Sequence, residues 1–192
     1  MNLPSDFNNA RPYTGASSFN MLPPGGHICR IIGARMTQSS AGNDMIEVAF
    51  DVAEGGPDDG RFQQQFDERR AARADAKWPA GGMFRTAILT KDGKTSGYFK
   101  GLITAIEESN PGYSFAGTGA NEGTLKGKMI GFNFGEEEYK GNDGKIRTSV
   151  KAAYAVSVQT VRDGIEPPKK KTLAPQANSG FVEVPNDDQL PF

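Results

Sequence analysis

Hydrophobic and polar residues alternate cleanly over residues 44 to 53. Ile46, Val48, Phe50 and Val52 fall on one side and Glu47, Ala49 and Asp51 on the other, the period of a strand with one buried face. Residues 26 to 36 read as its partner, with Ile28, Arg30 and Ile32 on one side and His27, Cys29 and Ile31 on the other. The polar stretch from Gln38 to Asn43 between them predicts a turn and antiparallel pairing. After GGPDDG at 55 to 60, Phe62, Gln64 and Phe66 alternate again and predict a further short strand. The period then changes. Between Asp67 and Lys77 stand four alanines and no β-branched residue, which predicts a helix stopped by Pro79, Gly81 and Gly82.

Residues 83 to 90 read as a short strand. A helix starting at Ser96 or Gly97 gathers Tyr98, Phe99, Leu102, Ile103 and Ile106 into one apolar stripe, and Asn110 and Pro111 end it. It is expected to plug one end of a sheet. A Gly-rich loop at 110 to 123 leads to strands at 125 to 134 and 145 to 158, joined as a hairpin around Asn142, Asp143 and Gly144. The total is about six strands and one plugging helix. Residues 1 to 24 lack a sustained period and read as an N-terminal arm. Residues 25 to 162 form the domain, 163 to 182 a flexible linker rich in Pro, Lys and Ser, and 183 to 192 an acidic and apolar tip.

Composition agrees with a mainly β chain: of 192 residues, 24 are Gly and 12 Pro, which favours short elements and turns over a helical bundle. The net charge of −1 gives no global sign of a nucleic-acid or membrane partner, so any such sign must be local. Residues 163 to 192 hold three Lys against Asp163, Glu166, Glu183, Asp187 and Asp188, leaving 19 basic and 18 acidic residues in the body. A near-neutral total thus conceals a mildly basic body and an acidic end. The single Cys29 excludes an intramolecular disulfide and a Cys-cluster metal site, and fits a reducing, cytoplasmic setting. No apolar run is long enough to span a bilayer, so no membrane partner is expected.

Enzyme chemistry finds little purchase. His27, the sole histidine, reads as a plain strand residue, and GTGANEG at 117 to 123 has the wrong spacing for a dinucleotide fingerprint. Gly93, Lys94 and Thr95 have Ile88 where a phosphate loop needs its first glycine. Glu136, Glu137 and Glu138 suit a divalent cation poorly, because adjacent strand residues point different ways. No catalytic residue, metal or cofactor is expected.

Three signals point to binding. In a helix from 67 to 77, Arg69, Arg73 and Lys77 lie at i, i+4 and i+8 with Arg70 beside them, Trp78 follows, and Arg61 and Arg85 bracket the segment. Cations with an indole suit a single nucleic-acid strand, since phosphates need cations and unpaired bases need a flat apolar surface. Trp78 equally suits the buried anchor of a solvated helix. In the hairpin, Lys126, Lys128, Ile130, Phe132 and Phe134 share a face, and Arg147 and Lys151 lie on the next strand. Phe132 and Phe134 are candidates both for base stacking and for the core. The last residues, Asp187, Asp188, Gln189, Leu190, Pro191 and Phe192, have the chemistry of a docking peptide, with Phe192 for an apolar pocket and the carboxylates for a basic rim.

The ending NDDQLPF resembles the acidic tip of bacterial single-stranded DNA-binding proteins: several Asp, then Ile or Leu, Pro and a terminal Phe. The stretch LKGKMIGFNFGEEEYKGNDGKIR, with SVQTVRDG after it, resembles phage and mobile-element proteins of the same role. The resemblance implies an oligonucleotide-binding (OB) Greek-key barrel with a capping helix, into which the basic segment at 67 to 80 is inserted. It also implies sequence-tolerant binding of single-stranded DNA, and docking of host replication, recombination or repair enzymes on Asp187, Asp188, Leu190, Pro191 and Phe192. A homo-oligomer is compatible with it. The alternative is an adaptor that captures such enzymes without touching DNA.

Overall fold

The computed structural model describes residues 21–54 and 56–173. Strands β1 (Gly25–Gln38) and β2 (Asp44–Glu54) form the expected hairpin, and β3 (Met83–Ala87) pairs with the far side of β2. A second hairpin, β4 (Met129–Lys140) and β5 (Ile146–Val156), joins through β4 to β1. The result is one antiparallel sheet in the order β3-β2-β1-β4-β5. Because the chain returns to place β4 beside β1 after running through β2 and β3, the connection is a Greek key.

The inward face carries the core. Ile46, Val48, Phe50 and Val52 of β2 meet Cys29 and Ile31 of β1 and Ile130, Phe132 and Phe134 of β4. Three rings form its centre: Phe132 lies 4.4 Å from Phe50 and 5.2 Å from Phe84 between centroids. Burial among these rings, with the charge of Asp51 nearby, pushes the Cys29 thiol well above its ordinary range. It stays protonated and inert.

Helix α2 (Gly97–Ser109) covers one end of the sheet, burying Leu102, Ile103, Ala105 and Ile106. The apolar stripe predicts this, except that Tyr98 points to solvent. Asn110 fastens the helix to β4: its amide donates to the carbonyl of Met129 at 2.8 Å, and its side-chain oxygen accepts from the Met129 N–H at 3.0 Å.

The region expected as a strand at 62 to 66 is instead the start of helix α1 (Arg61–Ala72). The cause is non-local. Asp51 of β2, buried, accepts hydrogen bonds from the backbone N–H groups of Phe62 (2.8 Å) and Gln63 (3.0 Å), and so caps a helix whose own N-cap, Gly60, has no side chain. Phe62 drops into the core beside Phe50. Asp51→Ala is expected to lower stability by about 2–3 kcal/mol, since it strips buried N–H groups of a charged acceptor. Urea denaturation monitored by circular dichroism measures it, and Asp51→Asn, which keeps one acceptor, should lose less.

The last strand also ends sooner than expected, at Val156, and a short helix α3 (Val158–Arg162) follows, capped by the Ser157 hydroxyl. Beyond it, part of the stretch expected as linker lies along the sheet. The Lys171 N–H donates to the Glu136 carbonyl and the Glu138 N–H to the Lys171 carbonyl, both at 2.9 Å. Lys170 pairs with Glu138 at 2.9 Å, and that hydrogen bond holds the Glu138 carboxyl below its usual range. Backbone hydrogen bonds need no hydrophobic period, so a polar, Pro-rich composition conceals them.

Candidate nucleic-acid interface

On its outward side the sheet floors an open groove of about 1790 Å³. Outward-facing residues of β1, β2 and β3 line it, together with the far half of α1 and the extended chain to Trp78, the start of α2, Lys151 to Ala153 of β5, and Lys171. Seven cationic side chains reach it: Arg35, Arg69, Arg73, Lys77, Arg85, Lys151 and Lys171. Among the described residues, Glu47 is the one acidic side chain in the lining. Cations thus outnumber carboxylates in the lining itself, with Asp75 and Glu137 paired to Arg73 and Lys151 from just outside it.

Of the residues singled out from the sequence, the fold brings Arg69, Arg73, Lys77, Trp78, Arg85 and Lys151 together here. They meet by a different geometry from the one expected. α1 ends at Ala72, and Arg73 is already extended at φ −153° and ψ 114°, so Arg73 and Lys77 belong to the chain that leaves the helix and not to a continuous helical stripe. Arg73 pairs with Asp75 at 2.8 Å, both largely exposed, an arrangement too solvated to hold the guanidinium firmly. Lys151 lies 3.3 Å from Glu137.

Trp78 is half-buried. Its indole N–H donates to the Gly82 carbonyl at 3.0 Å, and its ring lies 5.5 Å from that of Phe66. Gly82 permits this close approach. A Cβ there would stand 2.7 Å from the indole nitrogen, 2.8 Å from Phe62 and 2.9 Å from the Phe50 carbonyl oxygen. Trp78 is thus both anchor and groove wall.

Several expected contacts fall elsewhere. Phe132 and Phe134 are 0% exposed, so both are core residues with no face for a base. Lys126 and Lys128 do not continue the β4 face, because Gly127, at φ +81°, turns the chain between them before β4 begins at Met129. Lys128 sits over the Tyr113 ring at 4.4 Å. Arg61 is buried and paired with Asp58 at the start of α1. Arg70 leans over Phe66 at 5.9 Å, outside the groove lining. Arg147 pairs with Asp143 at 2.8 Å at the tip of the β4–β5 hairpin. The candidate docking residues Asp187, Asp188, Leu190, Pro191 and Phe192 lie outside the described residues.

The groove also contains residues that sequence reasoning missed. Arg35 was hidden by a bulge: pairing shifts between Ile31 and Gly33, which leaves Ile32 unmatched and turns every later β1 side chain to the opposite face. Unbroken alternation would have put Arg35 on the side of Cys29 and Ile31. Tyr98, 62% exposed, was absorbed into the apolar stripe of α2. Lys171 reaches the groove through the edge pairing with β4.

No protein-family model and no curated protein sequence matches the chain.

Proposed function

We propose that the chain is a sequence-tolerant single-stranded DNA-binding protein and that the groove over β1, β2 and β3 is its DNA site. One observation carries the reading: among the described residues, seven cations against one carboxylate line a groove whose walls include Phe66, Trp78 and Tyr98. Cations attract a sugar–phosphate backbone without regard to sequence, and aromatic faces receive unpaired bases of any kind. A duplex offers no such unstacked bases. The strand order supports a further inference, that the sheet is an OB-type barrel with α2 as its capping helix and α1 as an insertion, because a five-stranded Greek key with one end plugged by a helix is the architecture that binds oligonucleotides across its sheet face. We also propose that residues 183–192 recruit host replication, recombination or repair enzymes.

Anisotropy titration with labelled oligo-dT, oligo-U and duplex DNA at about 50 and 200 mM salt tests this. Oligo-dT should bind, with affinity falling steeply as salt rises. No binding at the lower salt would remove the proposal. Deleting residues 183–192 should abolish capture of partner enzymes and leave oligo-dT binding intact.

Tyr98→Ala is expected to weaken oligo-dT binding by about 1–3 kcal/mol with an unchanged salt slope, the signature of lost stacking without a lost phosphate contact. Stability should stay within about 0.5 kcal/mol, as for other exposed substitutions. Titration at several salt concentrations separates the two effects.

A further inference from the structure

Arg35, Glu47 and Arg85 stand in register across three strands: Arg35 of β1 is opposite Glu47 of β2, which is opposite Arg85 of β3. The Glu47 side chain is only 5% exposed, while those of Arg35 and Arg85 are 71% and 59% exposed. Arg35 donates from Nε to Oε1 of Glu47 at 2.7 Å and brings Nη2 to 2.5 Å from the same oxygen, and Arg85 donates from Nε to Oε2. Each carboxylate oxygen therefore holds one guanidinium. The two terminal nitrogens of Arg85 make no hydrogen bond among the described residues.

A carboxylate this deeply buried must be paired, and two arginines do more than neutrality requires. The ladder leaves a net positive charge on a rigid, half-satisfied array of donors. Arg85, fixed through Nε, keeps both terminal nitrogens for a second anion, a geometry that matches phosphate oxygens two at a time, while Arg35, held through Nε and one terminal nitrogen, keeps the other. The two arginine backbones are two strands apart, about 9–10 Å by the usual interstrand spacing. Such a separation suits an anion that repeats along a chain better than an isolated phosphate or carboxylate.

We propose that Glu47 is a positioning residue, and that it locks Arg35 and Arg85 into a paired clamp for successive phosphodiester groups of one strand. The proposal rests on the single-strand reading of the groove and specifies how that groove grips the backbone. It opposes the plain electrostatic expectation, because Glu47 is the groove's acidic side chain and its removal should otherwise favour a polyanion.

Oligo-dT titration of the full chain at several salt concentrations decides between them. Glu47→Gln keeps size and removes charge. It should weaken binding about fivefold at about 0.1 M salt, since the clamp loses its charge-assisted tether. Arg35→Ala and Arg85→Ala should each reduce the salt slope by about 0.7, one phosphate contact apiece. In the Arg35→Ala, Arg85→Ala double variant, adding Glu47→Gln should strengthen binding or leave it unchanged, because nothing remains to be positioned. Tighter binding by Glu47→Gln in the otherwise unaltered chain would overturn the proposal, as would full salt slopes in both arginine variants. If circular dichroism finds Glu47→Gln unfolded, the Arg35→Lys, Arg85→Lys double variant decides: charge is kept and the fork is lost. Several-fold weaker binding at an unchanged slope supports the clamp, and wild-type affinity overturns it. Failure of the wild-type chain to bind oligo-dT at all is a separate result that removes the single-strand reading itself.

Discussion

Removing three groove cations together, by Arg69→Ala, Arg73→Ala and Lys77→Ala, is expected to weaken oligo-dT binding about 100-fold at about 0.1 M salt. Each phosphate contact to a single strand contributes about 0.7 to the slope of log affinity against log salt, or roughly a factor of five at that concentration, so three contribute about two orders of magnitude. The slope itself should fall by about 2. All three side chains are exposed, at or beyond the end of α1, so the fold should be unharmed, with stability within about 0.5 kcal/mol. Arg147, ion-paired at the hairpin tip and outside the groove lining, supplies the control: Arg147→Ala should leave the slope nearly unchanged. Equal slopes for the triple variant and the control would place the phosphates elsewhere.

Phe132→Ala should act in the opposite way, through stability. The ring is enclosed by Phe50 and Phe84, and emptying such a site costs about 3–5 kcal/mol, the transfer of the lost atoms plus the cavity left behind. Against an ordinary domain stability of about 5–15 kcal/mol, much of the folded population is at risk on mild warming. Urea or thermal unfolding measures the loss. Oligo-dT affinity per folded molecule should be preserved. Selective loss of binding at unchanged stability would return Phe132 to a stacking role despite its burial.

The elements legible in the sequence are those with a local cause. The alternation through Ile46, Val48, Phe50 and Val52 identifies β2, and the stripe from Phe99 to Ile106, closed by Asn110 and Pro111, identifies α2. What escaped has a distant cause. Phe62, Gln64 and Phe66 fit a strand as well as a helix until the Asp51 carboxylate, eleven residues earlier in the chain, takes up the free N–H groups of α1. Burial of Phe132 follows from which face of β4 is turned to the core when it pairs with β1, and a strand's own sequence leaves both faces open. The site follows the same division. Composition marked the cluster from Arg69 to Trp78, but only cross-strand register joins Arg35, Glu47 and Arg85.

Position 82 has a consequence for how the groove can fail. The half-buried indole can shift for an added methyl group, but the Phe62 ring is fixed in the core and the Phe50 carbonyl belongs to the central sheet, and neither can retreat. A Gly82→Ala chain would retain every arginine and lysine and still lose the wall they stand on. Long-range attraction for a polyanion would survive in such a chain, while the seat for bases became shallow: encounters as frequent as before, each one brief.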